Sequence, residues 1–334
     1  MNDAPHPFAR FVATLGRGKT LTRSLTIAEA EEAMAMILAG DARPEQVGAF
    51  LMLLRMKEEA PEEIAGFIRA ARATFHLPAG APRVDLDWPS YAGKKRQLPW
   101  HLLAAILLAR DGRRVFMHGL DGHTKGRLYS GEALEALGFR VARGFDEAAA
   151  QLVGGNFAYM QLHAFAPRMA ELMLLKPVLG LRSAVNTLVR GLNPFGAAAS
   201  MQSVFHPAYV ATHRDASLLL GEPRVTVFRG DGGENERRPN KPCETVSVVA
   251  GAVSETRWPP TIDPRQSPDE DMDVRRLAAV WRGAAVDPFG EATVIATVAV
   301  ALHAMGAEPD VPQAEARARA LWADRDRAHL AEVA

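Results

Sequence analysis

The sequence predicts an α/β protein: a small all-helical amino-terminal domain joined to a larger α/β domain with a mostly parallel central sheet. Three observations carry that prediction. Residues 26–75 hold three successive helical patterns. His76-Leu-Pro-Ala-Gly-Ala-Pro82 reads as a linker. After it, short β-prone runs alternate with apolar helical runs, the pattern of strand–helix–strand units. At 334 residues the chain is too long for one core and suits two domains. The boundary falls near residue 78: residues 1–78 form the helical domain, joined by helices from about 164–192, and residues 79–334 form the α/β domain.

Taken in order, Phe8–Arg23 is basic, with Arg10, Arg17, Lys19 and Arg23 and no acid. It reads as a helix end or turn at the surface. Gly16-Arg-Gly-Lys-Thr20 lacks the earlier glycine of a phosphate loop. Thr26-Ile-Ala-Glu29 is a capping box and Gly40 a natural stop. Between them Ile27, Ala30, Met34, Ile37 and Leu38 share one helical face. Pro44 starts a second helix with Val47, Phe50, Leu51 and Leu54 inward. Pro61-Glu-Glu63 starts a third, lined by Ile64, Phe67, Ile68 and Phe75. Three such faces can close on one another as a small bundle. Strands are then expected at 83–87, 114–117, 157–161, 201–205, 225–228 and 246–249. Helices are expected at 100–110, 131–137, 167–175, 182–189, 207–219, 269–282 and 291–305. Ser267-Pro-Asp-Glu270 reads as the start of the 269–282 helix. Val253–Pro268 reads as an exposed connection.

Composition excludes more than it selects. Lys and Arg number 39 and Asp and Glu 39, so there is no global pull on nucleic acid. The single cysteine, Cys243, excludes an intrachain disulfide and a cysteine-built zinc site. That suits a reducing cytoplasm. No signal peptide or membrane-spanning run is visible. Local charge is more informative. Trp88–Ser130 holds eight cations, Lys94, Lys95, Arg96, Arg110, Arg113, Arg114, Lys125 and Arg127, against Asp111 and Asp121. The triplet Lys94-Lys95-Arg96 follows a strand and Gly93, the position where open α/β sheets bind ligands. A solvated surface loop would show the same run.

Several motifs resemble a known family. Leu51–Lys57 with Pro61–Gly66, Leu179-Gly-Leu-Arg-Ser-Ala-Val-Asn186 with Leu192-Asn-Pro194, His118-Gly119, Leu134–Gly138 and Gly230-Asp-Gly-Gly-Glu-Asn235 resemble, in order, segments of anthranilate phosphoribosyltransferases. The resemblance implies a helical domain hinged to an α/β domain, and a homodimer through the helical parts. It also implies a residual pocket at Gly93, His118, Gly119, Lys176, Arg182, Asn186 and Glu234. The family's Gly-Thr-Gly-Gly-Asp-Gly diphosphate loop is replaced by Tyr91–Gln97, and its Asn-x-Ser-Thr by His101–Ala104. Met117 stands for a lysine, Leu120 for an asparagine, Glu234-Asn235 for the Asp-Glu metal pair, and Lys176 for a substrate-clamping arginine. Those departures argue against the parent reaction. Pro89–Gln97, Leu102–Leu108, Gly16–Lys19 and Val204–Pro207 resemble the YbiB-type branch of the superfamily more closely. That branch implies sequence-tolerant binding of a DNA or RNA backbone.

Two readings from different classes follow. In the first, Lys94, Lys95 and Arg96, then Lys125 and Arg127, then Arg17, Lys19 and Arg23 contact phosphates, while Tyr91 and Trp100 flank the triplet and could stack on bases. Trp100 as the start of a core helix is the expected alternative. No catalytic residue, cofactor or metal is assigned in that reading. In the second, the chain is a phosphoribosyl or pentosyl transferase with altered substrate, and magnesium enters only there. A regulatory small-molecule binder using the interdomain cleft is a third reading. His163, His206 and His303 have no metal spacing and read as surface or packed histidines.

Overall fold

The computed structural model describes residues 4–18 and 20–330. Four amino-terminal helices come first: α1 (Ala9–Gly16), α2 (Ile27–Ala39), α3 (Pro44–Lys57) and α4 (Pro61–Arg72). The expected signals operate here. Thr26 and Glu29 form a reciprocal capping box, and Gly40 closes α2 in the left-handed conformation. The inward faces bury Met34, Ile37, Phe50, Leu54, Ile64 and Phe67. Phe8, Phe50 and Phe67 stack edge-to-face at 5.3 and 5.9 Å. Helices α2 and α4 cross at Gly66, where a Cβ would lie 2.4 Å from the Ile27 carbonyl oxygen. Buried Glu63 accepts from Leu25 N, Ala60 N and Lys57 Nζ at 2.8–2.9 Å, so its charge is paired.

The second part alternates strand and helix: β1 (Leu86–Ser90), α5 (His101–Arg110), β2 (Val115–Gly119), α6 (Ser130–Ala136), β3 (Val141–Ala142), α7 (Phe145–Gly155) and β4 (Phe157–Gln161). Short helices α8 (Leu162–Phe165), α9 (Pro167–Met173), α10 (Lys176–Leu179) and α11 (Val185–Leu188) follow. Then come β5 (Ala199–Val204), α12 (Tyr209–Leu220), β6 (Arg224–Arg229), β7 (Cys243–Val249), β8 (Ala252–Trp258), α13 (Arg275–Arg282), α14 (Pro288–Ala304) and α15 (Val311–Asp324). One eight-stranded sheet runs β3-β4-β2-β1-β5-β6-β7-β8. It is parallel from β3 to β6 and antiparallel across β7 and β8. Helix α5 is buried from His101 to Ala109, as an all-round apolar helix must be. Arg72 ties α4 to the segment before β5 through Gly191 O and Leu192 O at 2.8 Å, and Arg69 reaches Leu219 O of α12.

Several expectations are corrected. The first strand lies at 86–90, later than 83–87, because buried Trp88 carries the pattern through Pro89 to Ser90. Residues 253–258, read as an open connection, are strand β8, paired along its length with β7. An edge strand exposed over most of its length shows no apolar alternation. Helix α13 begins at Arg275, not at 269. Asp269, Asp271 and Asp273 each accept the amide two residues ahead, an Asx ladder that competes with helix. Helix 182–189 shrinks to α11 and a short turn at Val189–Gly191. Helices α7 and α15 and strand β3 were not anticipated.

Candidate active site at the carboxyl edge of the sheet

Strand order reverses between β1 and β5: β2 lies on one side of β1, and β5 and β6 on the other. The β1–β5 ladder holds only Leu86↔Ala199 and Asp87↔Ser200 before the strands part. Beyond that point Asn235 Nδ2 bridges Pro89 O and Met201 O at 3.1 and 2.9 Å. Such a switch point opens a crevice where open sheets bind ligands. Three loops converge there: 91–100 after β1, 205–208 after β5 and 230–242 after β6.

Residues 91–97 are tied down on both sides. Lys94 exchanges backbone hydrogen bonds with Leu128 at 2.8 Å each way, so the second basic loop lies against the first. Gly93 has φ +67°, and a Cβ there would meet the Tyr129 ring at 2.9 Å, so only glycine fits. The amides of Ala92 and Gly93 both point at Glu234 Oε1, at 2.6 Å each. Ser90 Oγ donates to Glu234 Oε2 at 2.7 Å. Two successive amides turned to one anion make a nest. Deeper in, Lys94 is 2% exposed and its ammonium bridges Asp231 and Glu236, the latter at 2.6 Å. Burial opposes the Lys94 charge, but the two carboxylates prevail and raise its pKa. The same pairing, against burial, keeps Asp231 and Glu236 lowered. Gln97 Nε2 adds bonds to both acids at 2.8 and 2.6 Å. His101 links Glu236 to Ser130, which touches Ser90. A continuous buried polar network therefore runs from Glu236 to Glu234.

Beside this network Tyr91 Oη lies 2.6 Å from His118 Nδ1, and His118 Nε2 lies 3.2 Å from Asp87 Oδ1. Burial, then Asp87, holds the Tyr91 phenol well above its ordinary pKa. The phenol therefore stays protonated, and it shares a hydrogen bond with His118 Nδ1. His123 donates Nε2–H to Tyr91 O at 2.8 Å, and burial lowers its pKa to about 4. Arg190, lowered chiefly by burial, donates to Gly233 O at 3.1 Å.

Against this layer, with Gly93, Lys94, Gln97 and Asp231 along its inner side, lies a cleft of about 570 Å³. Lys95, Arg96, Arg127, Arg238 and Lys241 supply cations to its wall, with Asp231 and Glu270 the acids. Asp231 is already paired with Lys94 and Arg238. A second depression of about 460 Å³ shares Phe205, Arg238 and Lys241 and adds Arg229. The Phe205 ring between them is 52% exposed.

The sequence-predicted residues divide accordingly. Lys95 and Arg96 are exposed at the cleft. Arg127 reaches it while donating to Ala92 O at 2.8 Å and Gly93 O at 3.1 Å. Lys125 is exposed on the adjoining loop. Lys94, the first choice for a phosphate contact, is corrected: it is buried with its charge spent on Asp231 and Glu236. Tyr91 is corrected as a stacking platform, being buried on His118, and Trp100 is core, as its alternative had it. Arg110, Arg113 and Arg114 sit at the α5–β2 turn, the opposite end of the sheet, so the basic segment does not share one face. Arg23 pairs with Glu29 through two contacts of 2.7 Å. Arg17 is exposed after α1, and Lys19 lies outside the described residues. Of the residual pocket, Gly93, His118 and Glu234 are brought together. Gly119 packs where a Cβ would meet Ser90 O at 2.3 Å. Arg182 is exposed, and Asn186 and Lys176 are half-buried before β5. Partial burial and then the repulsion of Arg127 lower the Arg182 pKa. Arg238, Lys241 and Phe205 were missed, as were the roles of Asp231 and Glu236. The resemblance covers the acidic motif only to Asn235, and the alternation of acids at 231, 234 and 236 is the signal in the sequence.

Magnesium, which the resemblance attaches to the transferase reading, does not fit these side chains. Both Glu234 oxygens are engaged, Asn235 Nδ2 is spent on backbone carbonyls and leaves only its buried Oδ1 without a partner, and Asp231 and Glu236 already bridge an ammonium; one amide oxygen falls short of the ligand set a hard cation takes. Among the described residues no other cluster of acids, histidines or cysteines has the spacing of a metal site.

Comparison with known proteins agrees with the architecture. Residues 10–75 match the family model of the glycosyl transferase family helical bundle domain. The chain is 31% identical over 250 residues to the anthranilate phosphoribosyltransferase of Oleidesulfovibrio alaskensis, covering 74% of this chain and 73% of that protein. It is 28% identical over 247 residues to Escherichia coli YbiB, covering 72% and 76%. The solved structure of anthranilate phosphoribosyltransferase from Thermus thermophilus superposes with a TM-score of 0.80 over 96% of both chains, at 24% identity, and so speaks for the fold. A helical bundle on a sheet that opens between β1 and β5, together with the extent of these likenesses, leads to one conclusion: the chain belongs to the anthranilate phosphoribosyltransferase family.

Proposed function

We propose that the protein is a pentosyl transferase of this family with an altered substrate, whose donor phosphate is held by side-chain cations instead of magnesium. The observation that carries this reading is the cationic wall of Lys95, Arg96, Arg127, Arg238 and Lys241 around a cleft of about 570 Å³. That volume suits a phosphorylated sugar. Breaking a pentose C1–O bond places negative charge on the departing phosphate. Fixed guanidinium and ammonium groups stabilise that charge most where water is sparse. Family membership favours this reading over nucleic-acid binding, for which the relatives' names give no support. Phosphoribosyl pyrophosphate titrated into the protein with EDTA present should give a saturable heat. Changing Lys95 and Arg96 together to Ala should weaken it about tenfold or more. A heat that requires magnesium rejects the metal-free reading, and no heat under either condition rejects this donor.

One observation supports a second reading, binding of a nucleic-acid backbone. Arg229, Arg238 and Lys241 extend the cationic wall past the half-exposed Phe205 ring. Cations flanking an exposed aromatic ring suit unpaired bases. The same sample titrated with a labelled oligonucleotide decides it. Phosphate contacts require affinity to fall with salt by about 0.7–0.9 log units per log unit for each phosphate neutralised. Absence of binding at low salt eliminates this reading.

A further inference from the structure

Glu234 comes from the stretch that the resemblance aligns with a metal motif, yet it binds loop amides. Lys94 comes from the stretch aligned with a diphosphate loop, yet it binds carboxylates. Each does the work of the other's expected ligand. The Ala92 and Gly93 amides and the Ser90 hydroxyl close on one carboxylate at 2.6–2.7 Å, the donor set an oxyanion would use. Asp231 and Glu236, with Gln97 beside them, close on one ammonium, as two acids would on a hard cation. Glu234, Glu236 and Lys94 are 0–2% exposed, so water competes little for these three, while Asp231 is partly exposed at the cleft.

We infer that the protein has built its family's bound anion and bound cation into its own chain. The Glu234 carboxylate fills an oxyanion seat on loop 91–97, and the Lys94 ammonium fills a divalent-cation seat between Asp231 and Glu236. The native seats therefore exclude free phosphate, diphosphate and divalent metal, and the loop holds its closed shape without a ligand. A ligand phosphate is confined to the outer cationic wall. The inference stands whether that wall takes a sugar phosphate or a nucleic acid, since it concerns only the inner layer.

Removing a built-in ion should recreate the demand for an external one. Glu234→Ala leaves two convergent amides without an acceptor, and Lys94→Ala leaves buried Glu236 facing Asp231 with no ammonium between them. Both variants should melt well below wild type. Inorganic phosphate, compared with sodium chloride at equal ionic strength, should raise the Tm of Glu234→Ala by several degrees and leave wild type unmoved. Magnesium or manganese chloride should do the same for Lys94→Ala, reversibly with EDTA. A folded variant that responds no more to its ion than wild type does overturns the inference. Wild type provides a measurement independent of variant folding. Phosphate, pyrophosphate and magnesium chloride should leave in place the amide NMR signal of Ala92, which donates to Glu234 and does not line the cleft, and saturable movement of that signal overturns it. A transferase with these seats filled would still show heat with phosphoribosyl pyrophosphate in EDTA, so the two proposals fail separately.

Discussion

At the residue scale the decisive facts are which charges are spent and which are free. Lys94 and Lys95 are neighbours in sequence, yet one is sealed between acids and the other faces solvent. A run of like residues cannot reveal this, because the partners lie some 140 positions away along the chain. His213 gives a related case with a pH consequence. It is buried on α12 with Nδ1 2.7 Å from Gln202 Oε1, so it donates there and is neutral. Burial, then Arg190, lowers its pKa from 6.5 to about 3. The folded state thus binds fewer protons than the unfolded one. This residue's contribution to stability is complete above pH 6.5 and is lost as pH falls toward 3, by about 1.4 kcal/mol per unit. Denaturant melts of His213→Gln between pH 6.5 and 4 should show a shallower fall than wild type, with the slope left by His123. Equal slopes would show that His213 does not titrate on unfolding.

At the element scale, periodicity located helices well wherever one face is apolar. Helices α2, α3 and α4 bury most of the residues their spacing nominates, while Ile27 and Leu38 are half-buried and Phe75 lies past the end of α4. Their closeness was not legible. Gly66 sits mid-helix, where glycine costs helix stability, and its purpose appears only when α2 is laid across it. A Cβ would fall 2.6 Å from Ala30 Cβ and 2.8 Å from Glu31 N, and backbone cannot step aside. Gly66→Ala, favourable by helix propensity alone, should instead destabilise the protein by about 1–3 kcal/mol in chemical denaturation. A stabilised variant would mean that the helices separate at little cost. Strand β8 and the late start of α13 escaped notice for a shared reason. Their backbone hydrogen bonds go to partners that local composition does not name: β7 for the strand, and the Asp269–Asp273 side chains for the turn ladder.

At the scale of the whole molecule, zero net charge conceals a strong separation. Cations gather on the cleft wall and at the α5–β2 turn on opposite edges of the sheet, while the inner layer of the site is balanced by its own acids. The helical side carries the exposed apolar side chains Met56, Leu174, Val178 and Leu181. They sit on α3 and around α10, which meet where Gly48 faces Leu179. A second copy of the chain is the expected cover for this face. Light scattering at micromolar concentration should give twice the 36.2 kDa chain mass, and Met56→Glu with Val178→Glu should halve it. A monomeric wild type would discard that expectation. No helix among the described residues is long and apolar enough to cross a membrane. The sequence by itself determined the two-part architecture, most of the inward faces of the amino-terminal helices and the alternation of most strands and helices after them, because these follow from local pattern. Only the tertiary structure decided that Glu234 occupies the loop amides, that Lys94 lies between Asp231 and Glu236, and that Arg238, Lys241 and Phe205 complete the cleft. Those pairings depend on loops after β1, β5 and β6 meeting where the sheet opens, and on burial making each unpaired charge too costly to leave alone.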